Sequence, residues 1–222
     1  NDRFFWRKQM EYLLPFICAK FYRVPLYVAA PSIGPFTKRN NFIRTWLLKT
    51  AKILCVREDI SKEYLNTIGI NKNVEVTIDS AFLSEINESD NQEKLENYLE
   101  LKEFLSQHER VVGITITDFT WHVKYNKDTE LINRINNSFH EFIDKLKSDG
   151  YGILFIPQLF GNQNDSKYMS QFAKKHSFVM DEKYDADFQQ HIISKIHSVV
   201  GMRYHSNIFS AKMCTPFVAV MY

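Results

Sequence analysis

The chain has 222 residues, 45% of them apolar and 24% charged, enough to bury a sizeable core in one large domain or two modest ones. Glycine (7) and proline (6) are scarce while phenylalanine (18) and tyrosine (11) are abundant, a balance that excludes disorder and low-complexity repeats. The net charge is only +2, with no dense basic block beyond FTKRNNFIR at 36–44, so no nucleic-acid partner is expected. A small anionic ligand needs only two or three placed cations, which net charge does not reveal.

Cys18, Cys55 and Cys214 are odd in number, far apart and set in apolar stretches. They are expected to be reduced core residues of a cytoplasmic protein. No C-x-x-C pair points to a thiolate zinc site, and no metal is expected. No apolar run reaches the roughly 20 residues that cross a bilayer, and the charged start NDRFFWRKQMEYLLPF does not read as a signal peptide. A peripheral position at the inner membrane face stays open. The chain opens on a helical pattern and closes directly after a strand-like run, so it is expected to be cut from something longer.

Strand and helix signals alternate along the chain, the pattern of parallel α/β units. Residues 5–22 carry helical spacing interrupted by Pro15, and PLYVAA at 25–30 reads as a strand followed by the turn-rich PSIGP. A helix is predicted over 42–49, a buried strand over 52–56 ending at Arg57, and a short helix over 61–68 with Gly69 just beyond its end. The next strand is 74–78. From 84 to 107 the composition turns polar and acidic, so 85–107 is expected to be an interdomain connection, partly helical, between a partial N-terminal Rossmann-like domain (1–84) and a C-terminal one (108–222). In the second half, strands are predicted at 111–117, 152–157, 198–202 and 216–221. Helices are predicted at 130–147, 166–175, 187–196 and 205–212.

Ligands of open parallel sheets bind outside the carboxyl ends of the strands. The sharpest group there is GMRYHSNIFSA at 201–211. If 203–205 is extended, Arg203 and His205 project to the same side, setting a guanidinium beside a titratable imidazole. Ser206 is a candidate N-cap of the helix that follows. Arg57, at the end of another strand, either binds ligand or pairs with Glu58 or Asp79, and Asp79 reads better as a loop brace. Asp185-Ala186-Asp187 spells D-x-D but opens a helix, where acidic residues belong electrostatically. There is no G-x-G-x-x-G, Walker A or G-x-S-x-G motif.

These landmarks resemble the polysaccharide pyruvyl transferase family over nearly the whole chain: SIGP at 32–35, VRED-x-S at 56–61, GI-x-x-N-V at 69–74, D-x-AF at 79–82, ILFIPQ followed by Asp165, R-x-H-S at 203–206, and the final TPFVAVMY. The resemblance implies a GT-B-like pair of mainly parallel Rossmann-like domains facing a cleft. It implies an enzyme that transfers an enolpyruvyl unit from phosphoenolpyruvate to a sugar of a surface polysaccharide or its lipid-linked precursor, forming a pyruvate ketal. No cofactor is required by that chemistry. His205 becomes the catalytic candidate, and Arg203, Arg57, Ser206 and Gln158 candidate substrate-binding residues. Many family members place an arginine after the 111–117 strand. Here that loop reads TDFTWHVKY, so either His122 or Lys124 takes its place or the donor sits differently. Two other functions fit the same scaffold: a glycosyltransferase using a nucleotide-activated sugar, and a non-catalytic glycan-binding protein.

Overall fold

A computed structural model describes residues 2–35, 41–120, 128–161 and 164–221. The chain divides into two compact units, Asn1–Leu83 and Ser84–Tyr222. The first contains α1 (Asp2–Phe21), β1 (Tyr27–Val28), α2 (Asn41–Leu48), β2 (Ile53–Val56), α3 (Asp59–Thr67) and β3 (Val74–Val76). Its strands form a parallel sheet in the order β1-β2-β3. Leu54 and Val56 of β2 bury against Leu48 of α2 and Leu65 of α3. Helix α3 ends where its sequence says it should. Gly69 takes φ +73°, the Gly69 amide donates to the Asn66 carbonyl, and the Ile70 amide reaches back to Leu65. That is a Schellman closure, with Leu65 and Ile70 sharing the core.

The second unit runs α4 (Glu88–Asn97), α5 (Leu99–Gln107), β4 (Val111–Thr115), α6 (Thr129–Ser148), β5 (Gly152–Phe155), α7 (Asp165–Ser170), β6 (Ser177–Val179), α8 (Ala186–Ile193), β7 (Ser198–Gly201), α9 (Tyr204–Lys212) and β8 (Phe217–Ala219). Its sheet is wholly parallel in the order β6-β5-β4-β7-β8. Every residue of β4 and β5 is buried, as expected for central parallel strands covered on both faces. Ile143 of α6 packs with Phe155, Met169 and Phe172 into the core of this unit.

Residues 85–107, expected as a partly helical connection, carry α4 and α5 and belong to the second unit. Their acidic surface hides a sparse apolar face: Leu95, Tyr98, Leu101 and Phe104 are buried. The Tyr98 and Phe104 rings lie 5.8 and 5.6 Å from that of Phe178 on β6. The Tyr98 hydroxyl accepts from the Asp181 amide, and burial pushes its phenol up to about 12. The cysteines are all free, but only Cys55 is part-buried; Cys18 and Cys214 are exposed. Cys214 sits in the turn leaving α9 at φ +56°, and Cys18 on an uncovered face of α1.

Helix α8 carries a buried histidine, His191. Burial is the main force lowering its pKa from the usual 6.5; Lys195 adds to this, while Glu88 of α4, with Oε2 3.2 Å from Nδ1, opposes it. His191 is therefore neutral in the folded protein at neutral pH. As pH falls below about 6.5 the unfolded chain takes up a proton that the folded chain refuses, so folded stability drops through that window. His191→Leu is expected to flatten the acid limb. Urea midpoints measured at roughly pH 7.5 and 5.5 should fall less in the variant than in the wild type. Equal falls would show that His191 does not contribute to the acid sensitivity.

Candidate functional site

From β4 the chain winds one way to β5 and β6, then returns to the other side of β4 for β7 and β8. The carboxyl ends of β4 and β7 therefore mark a topological switch point, the place where such sheets bind ligands. Three segments converge there. Arg203 follows β7 at φ −80°, ψ 134°, as the N-cap of α9. Thr115 ends β4, and its hydroxyl accepts from the Arg203 amide at 3.4 Å. Asp165 enters from the loop after β5 at the start of α7.

Asp165 is 2% exposed. Its carboxylate accepts from the amides of Gln158 and Leu159 at 3.1 and 2.9 Å. It also takes the Arg203 guanidinium side-on, with Nε to Oδ2 at 3.1 Å and Nη2 to Oδ1 at 2.5 Å. Arg203 and Asp165 line a cavity of about 470 Å³ together with Thr117, Asp118, Lys167 and Tyr168. Tyr168 donates its hydroxyl to Asn136 Oδ1 at 2.6 Å. Burial, reinforced by Asp118, raises its pKa above the ordinary value, so it serves as a neutral donor rather than a base.

The other expected residues fall in different places. The helix starts at Tyr204, so 203–205 is not extended. At about 100° of turn per residue, His205 does not project alongside Arg203 as strand alternation would require. His205 is exposed, with its ring 5.6 Å from that of Tyr204 and 6.1 Å from that of Phe209. Ser206 is not the N-cap but lies three residues into the turn, wholly buried. Its hydroxyl donates to the Arg203 carbonyl at 2.6 Å and lies 2.8 Å from the Thr115 hydroxyl, so it braces the turn from beneath rather than meeting a ligand. Gln158 lends Asp165 its amide, while its side chain donates to Gln189 Oε1 at 3.4 Å. His122 and Lys124 lie outside the described residues.

Arg57 belongs to the first unit and is committed to an internal network. Its Nη1 donates to Asp79 Oδ2 at 2.7 Å and its Nε to Ser32 Oγ at 2.7 Å, with Glu58 Oε2 3.3 Å away. Ser61 Oγ donates to Glu58 Oε1 and accepts from the Ile33 amide. Asp79 is buried and accepts from the Ala81 amide. Burial would raise the Glu58 carboxyl, but hydrogen bonds from Ser61 and Ser32 and the charge of Arg57 outweigh it and hold the pKa below the usual value. Of the two roles open to Arg57 in the sequence, the structure shows the ion pair. The segments SIGP, VRED-x-S and D-x-AF are thus three sides of one lock.

Asp165 was visible in the sequence only as an acidic residue in the loop that follows ILFIPQ, with nothing to pair it with Arg203 across 38 positions. Asn164 and Lys167 gave no signal beyond lying after a strand. Among the described residues no group of three or more His, Cys, Asp or Glu side chains could hold a metal ion. No described helix is long and apolar enough to cross a membrane.

Comparison with solved structures places this architecture. UDP-GlcNAc 2-epimerase from Methanocaldococcus jannaschii matches with TM-score 0.60 and 14% identity, covering 93% of this chain and 57% of that one. The Neisseria meningitidis enzyme, bound to UDP-GlcNAc, matches with TM-score 0.56 and 14% identity over 92% and 54%. At such identities the likeness shows the fold alone: an α/β protein of GT-B type with parallel sheets. The family model for polysaccharide pyruvyl transferase matches residues 1–222, and the chain belongs to that family. A curated relative, amylovoran biosynthesis protein AmsJ of Erwinia amylovora, is 25% identical over 218 residues, covering 93% of this chain and 51% of its own length. The chain thus spans about half the length of these relatives.

Proposed function

We propose that the protein is a cytoplasmic enzyme of exopolysaccharide biosynthesis, transferring a pyruvyl group from phosphoenolpyruvate to a sugar of a surface polysaccharide or its lipid-linked precursor. The observation that carries this reading is Arg203, fixed at the switch-point cavity in a chain of the pyruvyl transferase family. The donor presents a phosphate and a carboxylate, and a planar guanidinium fork suits either. In the reaction one sugar hydroxyl adds to C2 of the donor while a proton is delivered to its methylene carbon. A second hydroxyl then displaces phosphate from C2, giving the ketal and inorganic phosphate, with its proton leaving alongside. His205, exposed on the first turn of α9 just after the Arg203 N-cap, is assigned to moving these protons. Arg203 is assigned to the donor's anionic group. Lys167, exposed at the cavity wall, supplies a second cation.

Ligand stabilisation tests the donor. Phosphoenolpyruvate should raise the thermal midpoint by mass action, since it binds the native state. UDP-GlcNAc, the ligand of the Neisseria structure, should leave the midpoint unchanged. A shift with UDP-GlcNAc and none with phosphoenolpyruvate would reject pyruvyl transfer in favour of a nucleotide-sugar enzyme.

A further inference from the structure

Asp165 has no part in the bond changes just described, yet its carboxylate is nearly enclosed and accepts two backbone amides and two guanidinium protons. A purely structural role would account for the burial. It would not require the side-on grasp, which fills the Nε–Nη2 edge of Arg203. A guanidinium carries five N–H donors in one rigid plane. With one edge locked, the end-on edge is fixed in direction: it carries both Nη1 protons and the remaining Nη2 proton. Nη1 makes no hydrogen bond among the described residues, and Arg203 lines the cavity.

We infer that Asp165 is a positioning residue, turning the end-on fork of Arg203 toward a phosphate or carboxylate bound in the switch-point cavity. The anion's identity rests on the donor reading above; its charge does not. Pairing with Asp165 costs the guanidinium part of its field. However, the Gln158 and Leu159 amides share the carboxylate's charge, and Lys167 restores a cation to the cavity wall. In return the side chain no longer samples its rotamers, so little order remains to be imposed when an anion binds.

The test uses inorganic phosphate and phosphoenolpyruvate as probes, with affinities from the rise in thermal midpoint. The wild type should respond to both. Asp165→Asn should stay folded, judged by its unliganded spectrum, yet bind phosphate roughly tenfold or more weakly, as expected when a charge-assisted fork is misdirected. Arg203→Ala should lose as much, and the double variant no more than either, because the two residues act as one unit. If Asp165→Asn does not fold, Arg203→Lys carries the test: its ammonium can meet Asp165 but offers no second edge, so phosphate affinity should fall as far as in Arg203→Ala despite the retained charge. Wild-type phosphate affinity in either variant, additive losses in the double variant, or a wild type indifferent to both anions would each overturn the inference. A wild type that binds phosphate but not phosphoenolpyruvate would uphold the positioning role and overturn the donor reading.

Discussion

His205→Ala is expected to lower pyruvyl transfer by roughly 100- to 10,000-fold, the usual contribution of general acid–base catalysis, while leaving phosphoenolpyruvate affinity close to the wild-type value. The split follows from where the two groups sit. Arg203 is tied to the cavity through Asp165. His205 is exposed on the first turn of α9, and among the described residues its contacts are with the rings of Tyr204 and Phe209. An exposed imidazole contributes little to the core, so the variant should fold normally. Turnover is read as phosphate release together with the mass increment of a pyruvylated acceptor, and affinity as the midpoint shift. Near-normal turnover in His205→Ala would sink the catalytic assignment. Equal losses in turnover and affinity would recast His205 as a binding residue.

Gly201→Val should damage the same site without replacing a polar side chain. Gly201 closes β7 directly beneath the first turn of α9. A Cβ there would stand 2.1 Å from Asn207 Oδ1 and 2.7 Å from Ser206 Oγ. Valine adds two methyl groups to that clash, and the Asn207 and Ser206 side chains, or the turn that carries them, must shift. Overpacking of this kind costs about 1–3 kcal/mol of stability. The functional loss should be larger in proportion. Ser206 holds the Arg203 carbonyl and touches Thr115, so displacing it moves both Arg203 and His205. Misplacement of reacting groups by about 1 Å can cost on the order of 100-fold in rate. The prediction is a modest drop in urea midpoint with a loss in turnover of about that size. A variant with the expected stability loss but full turnover would show that the packing of α9 on β7 does not set the site.

The α/β architecture was legible because parallel sheets write themselves as separate apolar runs. VVGIT and GILF are continuous because both faces of β4 and β5 are covered. Strand β6 was not read: three residues, only partly buried, follow a lysine-rich turn and offer no run to recognise. The stretch of α4 and α5 reads as a partly helical connection because its few buried side chains are outvoted by acidic surface residues. At the site, the strand-to-helix step at Arg203 was evident, but not the residue at which the helix begins. One position decides it, and with it whether Arg203 and His205 share a side. The Asp165–Arg203 pair was illegible for a different reason. It joins two strand ends that lie on either side of β4, and no periodicity reports a contact made across a sheet.

The lock formed by Ser32, Arg57, Glu58, Ser61 and Asp79 changes how the family's landmarks should be weighed. Three of the ordered motifs that mark this chain bond to one another: two serines, a cation and two carboxylates join at the ends of neighbouring strands. Selection to keep a fold would preserve them whether or not any reaction survives. A descendant that had abandoned the chemistry would therefore still carry SIGP, VRED-x-S and D-x-AF, and would still be recruited to the family by them. What it would be free to lose, under the proposed function, is His205, together with the Asp165–Arg203 pair. If those residues carry the proposed reaction, sorting members by those three positions, rather than by the overall match, separates descent from activity.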